Sequence, residues 1–536
     1  MTGWTDHLLI APIVVPMLAG AAMILAGDRR RGTVVALGFG STLLLVALSA
    51  ALLRMAEAPE LHIYRLGDWP ARFGIVLVLD RLSAMMLALA AALGLAAFVF
   101  SLARWHRAGT HFHPLFQFQL MGLNGAFLTG DLFNLFVFFE VMLAASYGMA
   151  LHGSGTARVR AGLHYLVINL VASLLFLIGV SVVYGISGTL NMADLATRMR
   201  DVAAEDRALL EAGLAVMGIA FLLKAAMWPL GFWLPGTYAA ATAPAAAILS
   251  MLSKVGVYAV LRVWLLLFGA EAGASAGFGG TTLLLGGLLT IAFGAIAVLA
   301  TQNLPRLAGA SVFVSSGTLL AAIGTGQAAV TGGALFYMAS SVLAIGAFFL
   351  LIELVERGRE VGADVLAVTR EAFGTGEEDD DVEAADEVGV AIPGTVAILG
   401  LSFIACALLL AGLPPLSGFL AKFAILAPLL GPTGSAVPAT SWVLVVALVL
   451  SGLATVVAMV RAGIDAFWAS PSGTVPRVGV IEMAPVALLI ALCIGLTIAA
   501  GPAMTYMQAA AEALHAPGGY LRGVLATPAA GPEGGE

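Results

Sequence analysis

The sequence predicts an all-α membrane protein that crosses the bilayer many times. Hydrophobic residues make up 60% of the 536 positions, charged residues only 11%, and the mean hydropathy is +1.00, which excludes an ordinary soluble globule. Apolar segments of roughly 20 residues recur along the whole chain, and each is long enough to cross about 30 Å of hydrocarbon as a helix. The segments are continuously apolar and do not alternate, so they indicate helices and not the strands of a barrel.

These segments predict about fourteen transmembrane helices. Lysine and arginine in the short loops set the orientation, because cytoplasmic loops carry an excess of positive charge. The basic loops fall on one side, so both termini are expected on the outer side of a bacterial inner membrane. The predicted spans are 7–26, 33–54, 81–103, 112–130, 131–151, 160–186, 209–230, 238–268, 280–300, 307–326, 329–354, 391–430 with a break, 441–461 and 480–503.

The spans group into four parts, and the polar segments fall between or after them. Residues 356–388 contain the run EEDDDVEAADE, which is too charged to form a core and predicts a flexible cytoplasmic insert. The tail after Ala516 is expected to be disordered, and residues 191–211 are expected to form a solvated connector. The four parts are 1–111 with helices 1–3, 112–270 with helices 4–8, 271–465 with helices 9–13, and 466–536 with helix 14 and the polar tail.

Cofactor chemistry is not expected in this chain. Cys406 and Cys493 lie inside apolar helices, which excludes a disulfide framework and leaves no Cys/His cluster for zinc or an iron–sulfur centre. We see no set of convergent carboxylates and carbonyls that would bind a metal cation. No basic patch with interleaved aromatic residues is present, so nucleic acid is not an expected partner. The first apolar run precedes its basic residues, which is the reverse of a signal peptide, so it is expected to remain as the first span.

Four ionisable side chains lie inside the apolar runs: Glu140, Lys224, Lys254 and Lys422. A charge at bilayer depth costs a few kcal/mol and indicates a functional site by default. Glu140 and Lys224 have opposite charges and are expected to pair, either as a static packing device or as a switchable pair in a proton path. Burial disfavours both charges while their attraction favours them, so a change in their separation would help the lysine bind or release a proton. The two further buried lysines favour the proton path.

The other two lysines extend this path. Lys254 has no obvious carboxylate in its half of the chain, and a buried lysine without a counterion is readily deprotonated, which suits a relay group. Lys422 follows the helix-breaking sequence GLPPLSG, and Lys224 precedes a second one, WPLG. Proline removes a backbone donor and opens a helix, and broken helices at comparable positions of two halves indicate an ion site. The two halves would form an inverted repeat of five helices each.

Other ionisable residues are weaker candidates for the path. Asp131 begins the fifth span and could load ions, but a helix cap is the favoured interpretation. His164 lies in the sixth span and could join a hydrated path, although a packing histidine is an equal alternative. Asp80 and Arg81 are expected to hold the third span at the outer surface.

Three stretches of the chain form a recognisable set: LTGDLFNLFVFFEVMLAASYGM, WLPGTYAAATAPAAAILSMLSKVGVYAVLRVW and GLPPLSGFLAKF. Together they resemble the D-type subunit of the multisubunit Mrp/Pha-type monovalent cation/proton antiporters, which are relatives of the proton-pumping membrane subunits of respiratory complex I. The resemblance implies the fourteen-helix antiporter-like fold with two inverted five-helix repeats and broken helices 7 and 12. It also implies that Glu140 and Lys224 form the first-half pair, that Lys254 is the central relay, and that Lys422 is the second-half site.

The sequence departs from the family pattern in span eleven. Many relatives carry a histidine pair and a downstream lysine there, whereas this chain has Ser340 and Ser341 and no cation. Serine can hydrogen-bond water but cannot carry the charge of a proton near neutral pH. The second half of the path would therefore depend on water and Lys422.

Two transport functions and one structural function remain as alternatives. The favoured function is a non-catalytic, proton-translocating subunit of a hetero-oligomeric Na⁺/H⁺ or K⁺/H⁺ antiporter, whose partners are the other antiporter subunits, the lipid bilayer, protons and the exchanged cation. The alternative is a proton-pumping membrane subunit of a complex I-like or membrane hydrogenase redox complex. A structural scaffold is disfavoured by the four buried charges. The sequence does not choose between Na⁺ and K⁺.

Overall fold

The protein is a helical membrane protein with many spans, as the sequence predicts. The computed structural model describes residues 6–27, 30–58, 60–71, 74–105, 111–153, 155–372, 394–431, 437–467 and 478–526. Within these ranges, eleven helices are long and apolar enough to cross a membrane, and two shorter apolar helices accompany them.

The helices follow one another along the chain with short connections, and a π-helical turn over Val260–Trp264 joins α10 to α11. Their bounds are α1 (Ala11–Ala26), α2 (Arg31–Met55), α3 (Arg81–Ala103), α4 (Phe112–Leu128), α5 (Leu132–Ala150), α6 (Thr156–Ser187), α7 (Met192–Arg198), α8 (Ala204–Lys224), α9 (Leu234–Ala240), α10 (Ala243–Ala259), α11 (Leu265–Phe268), α12 (Gly280–Ala300), α13 (Leu304–Gly324), α14 (Ala328–Ala372), α15 (Gly394–Ala411), α16 (Ser417–Leu430), α17 (Ala439–Phe467), α18 (Val480–Ile498), α19 (Ala500–His515) and α20 (Gly518–Leu525).

A small antiparallel hairpin interrupts the helical pattern between α2 and α3. Its strands are β1 (His62–Arg65) and β2 (Val76–Leu79), with Ile63 opposite Val78. All four side chains of β2 are buried. The all-α prediction is wrong at this point, because strands of four residues show too little periodicity to be separated from the apolar run that follows. The end of the protein that holds this hairpin and the N-termini of α3 and α5 is called the hairpin side below.

Helix α14 forms the centre of the core. Its apolar part is buried along its whole length, with α3, α10, α13, α16, α18 and α19 packed around it. In contrast, α6 and α17 each expose a continuous apolar face, which suits helices at the rim of a membrane protein. Glycines bring α12 and α13 close together: a Cβ on Gly287 would lie 2.4 Å from the Ala321 nitrogen. Small residues at such contacts let helices pack closely in a membrane.

The two predicted helix breaks are present and share one geometry. Helix α8 ends at Lys224, and the Met227 N–H donates back to the Leu222 carbonyl at 3.0 Å. Helix α15 ends at Ala411, and the Leu413 N–H donates back to the Leu408 carbonyl, also at 3.0 Å. Both bonds span six residues and close a Schellman motif around a residue in the left-handed region. That residue is Ala226 in the first break and Gly412 in the second, with φ of 59° and 75°.

Three predictions about polar segments need correction. The segment 191–211 is not a solvated connector throughout, because α7 is largely buried and the side chains of Asn191 and Asp194 are 0% and 1% exposed. The predicted insert 356–388 begins within α14, which continues to Ala372, and residues 373–393 lie outside the described residues. The tail after Ala516 contains α20, whereas residues 527–536 lie outside the described part.

Candidate functional site

Glu140 and Lys224 lie at the junction of α5, α6 and α8, and both reach α6. The Ser173 hydroxyl donates a hydrogen bond to the Glu140 carboxylate. The Lys224 ammonium donates to the Asn169 side-chain oxygen at 3.3 Å and lies 4.9 Å from the centre of the Phe139 ring. Within the described part of the chain, the two charged groups do not contact each other directly, although Lys224 lies against the ring of Phe139, the residue before Glu140. The predicted pair is therefore brought together but is bridged by polar groups of α6.

The bridging groups form one polar face on α6 that sequence reasoning missed. Tyr165, Asn169 and Ser173 are spaced four residues apart and are all buried. The Tyr165 hydroxyl is 2.6 Å from the Ser146 hydroxyl of α5, and the Asn169 amide donates to the Tyr165 carbonyl at 2.9 Å. Polar residues four apart lie on the same side of a helix. This spacing within an apolar span was the sequence signal for the face.

Lys254 lies in α10 and is 1% exposed. Its ammonium donates to the Ser316 hydroxyl of α13 at 3.3 Å. Gly256 lets α10 approach the broken end of α8, because a Cβ there would lie only 2.3 Å from the Ala225 nitrogen. The close approach brings α10 to the Lys224 region, where a small cavity is lined by Lys224 and other residues of α5, α6, α8 and α10, together with Trp233.

Lys422 lies in α16, after the second break, but its side chain turns back to the helix before the break. The ammonium donates to the Ala411 carbonyl, the last of α15, at 2.7 Å. The carbonyls at a helix C-terminus carry partial negative charge, so they are favourable neighbours of a cation. Gly412 makes room for this contact, because a Cβ there would lie 2.6 Å from the Lys422 side chain. Lys224 therefore precedes its break in the sequence and Lys422 follows its break, yet each ammonium group lies at a helix C-terminus.

Hydroxyl groups of α13, α14 and α16 contact one another in the core. The Ser315 hydroxyl donates to the Ser341 hydroxyl at 3.0 Å, and the Ser340 and Ser417 hydroxyls are 2.8 Å apart. A cavity between α13, α14, α15 and α16 is lined by residues of this group and by Tyr337. Hydroxyls donate and accept hydrogen bonds, so they can order water in this cavity.

Glu140, Lys224, Lys254 and Lys422 are together called the row below, and the weaker candidates lie away from it. His164 is on the exposed face of α6, next to Leu163, which is 54% exposed. Asp131 accepts a hydrogen bond from the Asn134 N–H at 2.9 Å and caps α5, the interpretation that the sequence favours. Burial raises the pKa of the Asp131 carboxyl.

A further buried cation, Arg262, was not predicted. It follows Lys254 by eight residues and forms a two-pronged ion pair with Asp80, at 2.6 and 2.7 Å. Asp80 also caps α3 through the Ser83 N–H at 2.9 Å. Burial would raise the pKa of the Asp80 carboxyl, but the Arg262 guanidinium and the Ser83 hydrogen bonds together outweigh it and hold that pKa below its usual value. Asp80 is thus part of a buried pair and does more than hold α3 at a surface.

The described residues bring ionisable groups together but show no cage for a metal ion. Among the described residues, no group of three His, Cys, Asp or Glu side chains is placed to bind a metal. The whole sequence contains three lysines, and all three lie in this row. Each donates to a neutral oxygen and not to a carboxylate. A buried lysine without a bound counterion can lose and regain its proton readily.

Fold and site together define a multi-span membrane protein with ionisable groups buried beside two helix breaks. The family described as NADH:quinone oxidoreductase/Mrp antiporter, transmembrane, matches residues 129–454, and the chain belongs to this family.

Named relatives and one solved structure agree with this family. The chain is 59% identical over 540 residues to a Rhizobium meliloti (strain 1021) protein named as the probable D-type subunit of a K(+)/H(+) antiporter, covering 99% of this chain and 100% of that protein. It is 34% identical over 529 residues to the D-type subunit of the Na(+)/H(+) antiporter of Alkalihalophilus pseudofirmus, covering 97% and 99%. Its fold is similar to a chain in the structure of the Mrp complex from Dietzia sp. DQ12-45-1b, with a TM-score of 0.82 at 23% identity, covering 98% and 100%. The resemblance to the D-type subunit of Mrp-type antiporters is confirmed.

Proposed function

We propose that this chain is the proton-translocating D-type subunit of a multisubunit monovalent cation/proton antiporter, and that protons move along Glu140, Lys224, Lys254 and Lys422. One observation carries the proposal: Lys254 and Lys422 are buried, Lys224 is half-buried, and each of these three lysines donates to a neutral oxygen. A packing device would place a carboxylate at each lysine, because an unpaired buried charge is costly. A proton route needs the opposite arrangement, in which the charged form is only weakly held.

The first half of the route works by a change in distance between Glu140 and Lys224. When the carboxylate approaches the ammonium, the lysine holds its proton. When the carboxylate turns to Ser173, the lysine is held only by Asn169 and releases its proton toward the cavity beside it. Lys254 is the next acceptor, and the Ser316 hydroxyl holds its ammonium on the far side.

The second half of the route passes through hydroxyls and water to Lys422. The Ser315–Ser341 and Ser340–Ser417 contacts lie at the cavity between α13, α14, α15 and α16, and Ser315 is next in sequence to Ser316, the partner of Lys254. Serines replace the histidines of many relatives here, so ordered water carries the proton between the two ammonium groups. The Ala411 carbonyl then holds Lys422 at the broken end of α15.

The finer architecture is proposed as fourteen transmembrane helices with two inverted five-helix repeats, over 112–270 and 271–465, in a bacterial inner membrane with both termini outside. The two Schellman-type breaks at Lys224 and Ala411 support the repeat, because the same hydrogen-bond pattern occurs at a helix break in each unit. Basic residues in the short loops support the orientation.

The proposed partners are the other subunits of the antiporter, which would form a hetero-oligomeric membrane complex with this chain. The exchanged cation is Na⁺ or K⁺, since the two relatives above carry names with different cations. Neither a resident cofactor nor a metal site is proposed for this chain. Neighbouring genes separate this function from the redox alternative: small antiporter subunits would accompany the first, and iron–sulfur and flavin subunits the second.

Cation/proton exchange in inverted membrane vesicles tests the proposal. Vesicles carrying the whole gene cluster would be compared for wild type, Glu140→Gln and Lys224→Ala at matched assembly of the complex. Glu205→Gln is the control, since that carboxylate is exposed in the first turn of α8. We expect both buried variants to lose exchange and the control to keep it. Full exchange in both buried variants would contradict the proposal and make the buried charges packing devices.

A further inference from the structure

A second line of buried polar groups leaves the row at Lys254 and runs to the hairpin side. Lys254, Tyr258 and Arg262 follow one another at four-residue spacing and therefore share one face of α10 and its π-helical turn. They are 1%, 2% and 4% exposed. The Arg262 Nε donates to the Tyr258 hydroxyl at 3.4 Å, which links the last two groups.

Asp80 neutralises the arginine at the end of this line. Both of its carboxylate oxygens accept from the guanidinium, and its side chain is 16% exposed. The Tyr258 and Tyr520 rings lie near the guanidinium, with ring centres 5.6 and 5.3 Å from its central carbon. The pair has no net charge, so it does not repel a proton that passes beside it.

Tyr520 belongs to α20 and covers the pair from the hairpin side. Arg65 of β1 holds this helix by donating to the carbonyls of Val524 and Ala526, at 3.4 and 2.5 Å. Tyr520 is 7% exposed, and within the described residues its buried hydroxyl has no hydrogen-bond partner. That hydroxyl would lie 3.4 Å from a Cβ built on Gly130, the residue before the half-buried Asp131.

We propose that Tyr258, the Asp80–Arg262 pair and Tyr520 form a second proton port, which connects Lys254 to Asp131 on the hairpin side and is closed in this structure by Tyr520. In each transfer a tyrosine hydroxyl or a water accepts a proton on its oxygen and gives its own O–H proton to the next oxygen, so beyond the Lys254 N–H only O–H bonds break and form. The Tyr258 hydroxyl donates to the Phe127 carbonyl at 2.6 Å in this structure and turns from that carbonyl for its transfer. The Asp80–Arg262 pair keeps its protons and orients the neighbouring hydroxyls. The unpartnered Tyr520 hydroxyl is the position where a water would complete the port.

The hydroxyl of Tyr520 distinguishes a role in proton transfer from a role in packing alone. A buried hydroxyl without a partner costs free energy, so a packing role is better served by phenylalanine. Tyr506 provides a matched comparison, because it lies on the neighbouring helix α19 and its hydroxyl donates to the Arg81 carbonyl at 2.9 Å. Tyr506 therefore holds the C-terminal helices in place through a satisfied hydrogen bond.

The test measures exchange and passive proton leak in the same vesicles for Tyr520→Phe, Tyr520→Ala and Tyr506→Phe at matched assembly. Tyr520→Phe is expected to lower exchange roughly fivefold, because one hydrogen-bonding group of the port is lost. Tyr520→Ala is expected to raise a proton leak that needs no cation, since the covering ring is gone. Tyr506→Phe is expected to keep both values near those of the wild type.

Two outcomes would contradict the proposal of a second proton port. Tyr520→Phe with wild-type exchange would show that its hydroxyl passes no proton. Equal losses in Tyr520→Phe and Tyr506→Phe would show that both tyrosines only dock α19 and α20. The inference rests on the proton route proposed above, and Glu140→Gln separates the two failures. If that variant is inactive while Tyr520→Phe is normal, the port fails and the route stands; if Glu140→Gln is fully active, the route itself fails.

Discussion

At the scale of single residues, the proposed proton route depends on the hydrogen-bond partner of each lysine. Asn169, Ser316 and the Ala411 carbonyl are neutral acceptors, and each offers one oxygen to an ammonium group. A neutral acceptor orients the lysine but holds its charge less firmly than a carboxylate does. The Asp80–Arg262 pair shows the contrasting arrangement in the same molecule, since a two-pronged contact between full charges fixes both.

Asn169→Ala is expected to lower exchange several-fold while the complex still assembles. The substitution removes the oxygen that orients Lys224, and a single hydrogen bond to a charged group contributes about 2 kcal/mol. Ser181→Ala is the control, because Ser181 lies on the exposed face of the same helix, where its hydroxyl donates to the Leu177 carbonyl. Exchange in vesicles is the measurement, and equal activity of the two variants would contradict an orienting role for Asn169.

At the scale of helices, both breaks place a lysine beside a helix C-terminus, but the lysine comes from a different helix in each case. Each ends a helix inside the protein and leaves carbonyls that need partners. At the first break Lys224 is part of the helix that ends, whereas at the second break the Lys422 side chain returns to the ended helix from the next one. Both arrangements place an ammonium near a helix C-terminus, where the helix dipole favours it.

Gly412→Ala is expected to reduce exchange as well as stability. A left-handed alanine costs about 1 kcal/mol, and its Cβ would also collide with the Lys422 side chain. Gly326→Ala is the matched control: Gly326 has a φ of 67°, but a Cβ there meets no described atom within 4 Å. Both variants should lose similar thermal stability from the backbone, and only Gly412→Ala should lose exchange. Equal exchange in Gly412→Ala and Gly326→Ala would show that the function of Lys422 does not require the space that Gly412 leaves beside its side chain.

Gly256→Ala is expected to destabilise the protein by about 1–3 kcal/mol, because its Cβ would force α10 away from the broken end of α8. Gly185→Ala on α6 is the control, since a Cβ there meets no described atom within 4 Å. The measurement is the thermal unfolding midpoint of the purified complex in detergent. An unchanged midpoint for Gly256→Ala would mean that the close contact at Ala225 contributes little to packing.

At the scale of the whole molecule, the sequence predicts most of the helices and draws attention to the ionisable residues within them, for separate physical reasons. A membrane-spanning helix must be apolar over its full length, so the spans are visible without any knowledge of their neighbours. A charge within such a span is rare, so Glu140, Lys254 and Lys422 stand out singly.

Contacts between distant segments could not be predicted in the same way. Ser173 and Asn169 are ordinary polar residues until α5 and α8 bring Glu140 and Lys224 to them. Arg262 looks like a membrane-edge charge, because its partner Asp80 is 182 residues away in the sequence. The burial of Tyr520 depends on how α20 folds back on the hairpin side, which its short amphipathic sequence does not specify.

Lys254 joins the two halves of the proposed route, so the most direct test is cation-driven proton exchange in inverted vesicles carrying Lys254→Met. Methionine keeps much of the length and apolar stem of lysine without its proton-binding group, so packing in α10 should change little. Assembly of the complex would be measured in the same membranes. A continuous proton route predicts that exchange is lost while assembly stays at the wild-type level. Wild-type exchange in this variant would contradict the route and place proton movement in another part of the complex.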